Sequence, residues 1–401
     1  MLIVHIITRL IRAGADENTM LTCLQQADDG HDVVLIHGAE YDEHYYEAYR
    51  DKIRFVLVED MVRQVSVRHD AKAAFALYKI LADLKPLVVH THTSKAGVLG
   101  RLAARMAGVQ AIIHGVHIVP FVNVGRKSKA IYLGLEKSAA LFTDAFINVS
   151  YGTRNIFLEH GIGKPETHHV VHSGFDLKLY HDAREPADWA EILRCEPEGP
   201  RPPVLVMMAA LTARKRHVAF LAAFQRLTVL LPDVRLVICG DGEERRGIEG
   251  EIERLGIEAN VIMLGFRADP ERIVAMADLC VLASEREGLP RVIMQYLAGG
   301  KPCVVSHLPG VDEVVKDGFN GIVVPSANID AAVNSILHLL THRSELELLA
   351  RGARETDLSN WDAGTMWPKM HTIYRDVLKE VGVTMPDRAL AAKGRSIAAS
   401  T

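Results

Sequence analysis

Short runs of apolar, largely β-branched residues recur along this chain. They alternate with longer stretches in which apolar positions return every three or four residues. That alternation is the pattern of β-α-β units wound around parallel sheets. In the first half it predicts strands at 2–7, 32–36, 55–58, 87–90, 111–114 and 145–149. Helices are predicted at 17–27 before Gly30, at 71–84 before Pro86 and at 95–107 before Gly108, with Asp70 and Ser94 as N-caps of the last two. A polar stretch rich in proline and acidic residues interrupts the series, and residues 181–203 read as a linker. The alternation then resumes with strands at 204–209, 234–239, 261–264, 279–282 and 303–305. The expected fold class is therefore α/β, with two doubly wound, Rossmann-like parallel-sheet domains at 1–180 and 204–360 facing a cleft. A helix is expected at 361–381, and the small, basic, polar tail 386–401 reads as disordered.

At 401 residues, 49% hydrophobic and 24% charged, the chain is long enough for more than one core and has an ordinary globular make-up. No apolar run approaches the ~18 residues of a membrane span. The opening run contains His5 and is followed by Arg9 and Arg12, so it reads as a strand and not a secretory leader, which makes the cytoplasm the expected location. The five cysteines lack any Cys-x-x-Cys spacing and read as reduced packing residues. A formal charge of −4 gives no basic field for nucleic acid, so no nucleic-acid partner is expected. No Gly-x-Gly-x-x-Gly opens either series, which argues against a nicotinamide enzyme, and Cys239-Gly240-Asp241-Gly242 fits a tight turn as well as a ligand loop.

The densest chemistry lies at Ser284-Glu285-Arg286-Glu287-Gly288-Leu289-Pro290-Arg291, directly after the 279–282 strand and before a helical pattern running to Leu297. Open α/β sheets bind ligands at this edge. Pro290 suits the first position of a helix, because its missing N–H is not needed there. The backbone amides beside it form an anion site. Glu287 is placed to accept hydrogen bonds from sugar hydroxyls, so one loop is equipped to hold a sugar phosphate.

This stretch resembles the donor-binding segment of the retaining glycosyltransferases of family four, which have the GT-B fold. The resemblance extends from the first strand to about Asp317. The family carries two glutamates with seven residues between them; Glu287 matches the first, and Gln295 stands in place of the second. The resemblance implies that Glu287, Gly288, Leu289, Arg291 and Gln295 bind the donor, and that Lys215, in Leu211-Thr212-Ala213-Arg214-Lys215-Arg216, contacts its diphosphate. Ala210 replaces the family's arginine, leaving Arg214 or Arg216 to supply that charge, and Arg267 matches the segment near the nucleobase.

From the first domain the resemblance brings a histidine that lies against the donor sugar. His117 matches by its Val-His and Pro-Phe frame, and His114 by its adjacent glycine; His117 is preferred. Gly14 matches a small-residue loop where backbone approaches the ligand. Ser94 and Lys95 open a helix on the same edge and are candidates, with His114, for an anionic acceptor. His90 and His92 have no carboxylate or thiol beside them in sequence and read as packing or acceptor contacts, not metal ligands. Residues 121–135 mix apolar with basic side chains. They fit either contact with an anionic membrane or a packed helix with a solvated basic flank.

What the resemblance implies is a retaining, metal-independent hexosyltransferase of polysaccharide or cell-envelope biosynthesis with Glu287, Lys215 and His117 as its catalytic residues. A UDP-sugar is favoured over a GDP-sugar as donor, and the acceptor is a saccharide or lipid-linked oligosaccharide hydroxyl. No cofactor is expected beyond the nucleotide sugar as co-substrate. The competing readings are a nucleotide-sugar epimerase and a non-catalytic carbohydrate- or lipid-binding protein on the same fold.

Overall fold

The computed structural model describes residues 1–12, 14–326 and 328–385. Its first sheet has seven parallel strands: β1 (Leu2–Ile7), β2 (Asp32–His37), β3 (Arg54–Leu57), β4 (Val88–His92), β5 (Ala111–Val116), β6 (Ala145–Asn148) and β7 (His168–Val170), in the order 3-2-1-4-5-6-7. The second has six parallel strands: β8 (Val204–Met208), β9 (Arg235–Cys239), β10 (Val261–Gly265), β11 (Leu279–Leu282), β12 (Cys303–Ser306) and β13 (Gly321–Val324), in the order 10-9-8-11-12-13. Helices cover both faces of each sheet, so the inner strands are almost wholly buried, including the histidines of β1 and β4. The strand order reverses between β1 and β4 and again between β8 and β11, and a crevice opens at each such switch point.

The eleven predicted strands are all present, most with an end moved by one or two residues. Two were missed, β7 and β13, both at sheet edges. β7 is a three-residue His-His-Val and β13 begins on a glycine, so neither carries a run long enough to stand out. The helix caps are corrected. The second helix begins earlier, at Val67, with Ser66 as cap, and Asp70 lies inside it, where its carboxylate accepts from the Ser66 N–H. Ser94 is the first helical residue behind the cap Thr93. Residues 181–203 are no free linker: they contain the helix Trp189–Leu193, which buries Leu193 in the second domain's core beside Tyr180. The expected crossing helix is Ala363–Glu380, and it packs Met366, Trp367, Met370 and Tyr374 against Ile3, Val88 and Ile113 of the first sheet. Among the described residues no helix is long and apolar enough to cross a membrane. The tail 386–401 lies outside the described residues.

Candidate active site between the two sheets

The carboxyl ends of β1, β4 and β5 face those of β8, β9, β10 and β11 across a cavity of about 1430 Å³. On the second-domain side, β11 runs into a turn whose residues Arg286, Glu287, Gly288, Leu289 and Pro290 all line the cavity. Pro290 caps the helix Arg291–Ala298 with φ −68°, one position earlier than expected. Because the next two residues and Gln295 also face the cavity, the first turn of this helix opens toward any ligand there.

Glu287 and Lys215 meet at the centre of this edge. Lys215 Nζ lies 2.8 Å from Glu287 Oε1, Arg214 Nε lies 3.9 Å from the same oxygen, and the Lys215 and Glu287 side chains are only 9% and 12% exposed. Burial by itself raises the pKa of a carboxyl. Here the Lys215 ammonium, the Arg214 guanidinium and the Ser284 hydroxyl outweigh burial and hold Glu287 below the ordinary carboxylate range. The pair is thus charged, desolvated and open to the cavity on one side. Arg267 also lines the cavity but is held by both oxygens of Asp269, at 2.7 and 2.8 Å. Arg216 does not join the cluster. It adopts a left-handed backbone conformation at φ 60°, and its guanidinium donates to the Ser326 carbonyl on the other side of the loop.

The first-domain side is lined by charged side chains such as Arg9, Arg12 and Glu17 and by the candidate histidine. His117 follows β5 and lines the cavity half-buried, with its pKa pushed by burial down to about 4. His114, the other candidate, points elsewhere: it is 2% exposed, bonds the Thr91 hydroxyl at 3.0 Å and packs against Gly97. Strand alternation explains this, since residues of one strand point to opposite faces while His117 lies past the strand's end. Gly14 opens the helix Gly14–Asp28 and lines the cavity next to the aliphatic part of Arg291. Ser94 and Lys95 line it too, but Lys95 is no free cation, being paired with Asp70 at 2.6 Å and donating to the Gln64 carbonyl.

The two sides touch. A Cβ placed on Gly288 would lie 2.3 Å from the His117 carbonyl oxygen, so the turn after β11 seats directly on the histidine's backbone and only glycine fits. Arg291 reaches across to Glu17 at 2.7 Å, Asn123 donates to the Glu285 carbonyl at 2.8 Å, and Arg12 stacks over Phe266 at 4.9 Å.

Two features were not read from the sequence. Asp16 lines the cavity at 5% exposure, and burial raises its pKa to about 8 despite the Ile11 N–H that it accepts at 2.9 Å. His5, Gln26 and Tyr374 surround His90 and His92, making a buried group with no signature in sequence spacing. In the 121–135 segment, Phe121 is 1% exposed and belongs to the core, not to a surface. The helix Arg126–Ala140 that follows instead exposes Ile131 and Leu135, with Leu141 after it.

Comparison with known proteins agrees with this architecture. The model for "Glycosyltransferase Family 4" matches residues 14–179, and that for "Glycosyl transferases group 1" matches residues 191–356. The chain is 30% identical over 333 residues, 82% of its length and 85% of the relative's, to the UDP-Gal:alpha-D-GlcNAc-diphosphoundecaprenol alpha-1,3-galactosyltransferase of Escherichia coli. It is 28% identical over 308 residues, 74% of the chain and 78% of the relative, to the putative glycosyltransferase EpsD of Bacillus subtilis. Among solved structures, HepE of Anabaena in complex with UDP and glucose superposes with a TM-score of 0.76 at 21% identity, covering 93% of this chain and 98% of that one. With both sheets, the cleft and most of its length accounted for, the chain belongs to glycosyltransferase family 4, has the GT-B fold and is a glycosyltransferase of polysaccharide or glycan biosynthesis.

Proposed function

We propose that the protein moves a hexose from a UDP-sugar, with retention at the anomeric carbon, to a hydroxyl of a lipid-linked saccharide. The observation that carries this reading is the buried Lys215–Glu287 pair beside the Pro290 helix start, at the second sheet's switch point. Departure of UDP builds negative charge on the β-phosphate. A cation and backbone amides already aimed at that place stabilise it without reorganising. Lys215 then exchanges its bond to Glu287 for the diphosphate, which frees Glu287 to take sugar hydroxyls, while Gln295 reaches the ribose with an amide that both donates and accepts. Retention follows from attack on the face the diphosphate leaves, its own oxygen taking the acceptor proton; Glu287 and His117 position the sugar and neither acts as base. With Lys215 and the amides on the leaving group, the step needs no divalent ion.

The donor class is supported by the Escherichia coli relative, whose name specifies UDP-Gal, and by the solved relative that holds UDP. The acceptor class is supported by the same relative's diphosphoundecaprenol substrate and by the cavity's apolar lining. The lining includes Val65, Val67, Val98, Leu99, Leu102 and Leu135, side chains that suit an alkyl or prenyl chain better than a sugar. Ile131, Leu135 and Leu141, exposed near Arg126, Lys127 and Lys129, fit contact with an anionic lipid surface.

The test is incubation with UDP- and GDP-hexoses and a polyprenyl-diphosphate-linked saccharide, with the product linkage read by NMR. An axial product from an axial UDP-sugar, formed at the same rate in EDTA, is the expected result. An inverted linkage overturns retention, an epimerised donor without acceptor favours the epimerase, and tight donor binding without any product favours the binding protein.

A further inference from the structure

Five histidines gather at the centre of the first sheet: His5 on β1, His90 and His92 on β4, His114 on β5 and His117 just beyond it. Three of them form one line of hydrogen bonds. Gln26 Oε1 lies 2.7 Å from His5 Nε2, His5 Nδ1 lies 2.8 Å from His92 Nε2, and His92 Nδ1 lies 3.0 Å from His117 Nε2. His5 and His92 are at most 1% exposed, and the far end of the line, at His117, reaches the cavity.

The chemistry of the amide gives this line a direction. An amide oxygen only accepts, and a neutral imidazole carries one proton. His5 must therefore donate to Gln26 from Nε2, which leaves a lone pair on its Nδ1. His92 must donate to that lone pair from Nε2 and is left with a lone pair on Nδ1, to which His117 donates from Nε2. We propose that Gln26, His5 and His92 are positioning residues that lock His117 as its Nε2–H tautomer, so that its unprotonated Nδ1 is the acceptor offered to the cleft. On the proposed function, what it accepts is a hydroxyl of the donor sugar.

Gln26 is itself held. Its Nε2 donates to the Tyr374 hydroxyl at 3.3 Å, and that hydroxyl also shares a hydrogen bond with His90 Nδ1 at 2.6 Å. Tyr374 belongs to the helix Ala363–Glu380 that crosses back from the second domain, so that helix places a hydroxyl against the amide at the start of the line. A turned Gln26 would present its NH2 to His5 and reverse every donor in the line. The junction nearest the cleft is also tight. A Cβ on Gly115 would lie 2.9 Å from His92 Nδ1 and 3.1 Å from His117 Nε2, so only glycine leaves the contact intact.

The line fixes a tautomer and does not store charge. Burial pushes His5 and His117 down to about 4, and His92 well below its ordinary value, so all three are neutral near pH 7.

Ring-nitrogen NMR of the full-length, ¹⁵N-histidine-labelled protein without any sugar nucleotide tests this directly. The wild type should show His117 only as the Nε2–H tautomer from pH 6 to pH 8. Gln26→Leu should give a mixture and lower kcat by on the order of 10-fold with a smaller change in donor KM, as expected when an aligned group loses its orientation. Gln26→Glu, whose oxygen still accepts, should keep the wild-type tautomer. A wild-type His117 protonated on Nδ1, or exchanging between forms, overturns the proposal whatever the variants do, as does a Gln26→Leu protein with an unchanged spectrum. His5, His90 and His92 also bring ligand atoms within 4.8 Å of one another. A metal there would take lone pairs that the line uses as acceptors and would break it, so one transition-metal ion per purified chain would likewise overturn it. Because the tautomer is read without substrate, a protein that holds it yet transfers no sugar would count against the proposed function alone.

Discussion

Lys215 and Glu287 on the second-domain edge of the cleft are charged, while Asp16 and His117 on the facing first-domain edge are held toward their neutral forms, although burial acts on both edges in the same sense. The difference is in the partners. Glu287 has an ammonium at 2.8 Å and a guanidinium at 3.9 Å, enough to overcome desolvation. Asp16 has one backbone N–H and a weaker influence from Arg9, and desolvation wins. His117 has only another neutral imidazole. Two parallel sheets therefore place an ion-paired carboxylate at one edge of the cleft, and a carboxyl and an imidazole held toward their neutral forms at the other.

The sharpest way to break this contrast is to remove the charges. Glu287→Ala and Lys215→Ala should each lower kcat by at least ~100-fold, the usual cost of one charge-stabilising group. Steady-state rates at saturating donor check this, and near-wild-type values in both would end the assignment of that edge. Gly288→Ala attacks the contact between the edges. Its Cβ cannot lie 2.3 Å from the His117 carbonyl, so the turn after β11 must move and kcat should fall on the order of 10-fold.

The first-domain edge is best probed by pH. Asp16 has a folded pKa raised from 3.8 to about 8, so between those values the native chain holds a proton that the unfolded chain has released, and stability falls as pH rises. Asp16→Asn, which can still accept from Ile11, should match the wild type near pH 4 and exceed it above pH 8 by at least ~1.4 kcal/mol, the equivalent of one pKa unit. The histidines have the opposite slope: with His5 and His117 lowered from 6.5 to about 4, the unfolded chain takes up protons first, and stability falls as pH drops through that window. Denaturant titrations at several pH values separate the two effects. The smallest change is expected at the rim, where Glu17, 43% exposed, pairs with Arg291: Glu17→Ala should cost less than ~1 kcal/mol in the same titrations.

Much of this was legible because the informative residues are close together in the chain. Ser284 to Arg291 and Leu211 to Arg216 each follow a strand of the second sheet, and a strand end in a parallel sheet is already a position in space. The short edge strands β7 and β13 escaped because three or four residues cannot establish a period. Arg216 could not be told from Arg214 in a basic run, since the left-handed turn at Arg216 is what sends it away. The frame around His117 already favoured it over His114, and the end of β5 shows why the two face differently.

By itself the sequence determined the two α/β domains, their order and the loops that meet at the cleft, because apolar periodicity and turn residues are local properties. Only the tertiary structure decided which charges survive burial and which nitrogen of His117 is tied to His92. Those outcomes depend on groups such as Gln26, Tyr374, Lys215 and Glu287, which are far apart in the chain and interact only once the sheets and the crossing helix bring them within hydrogen-bonding distance.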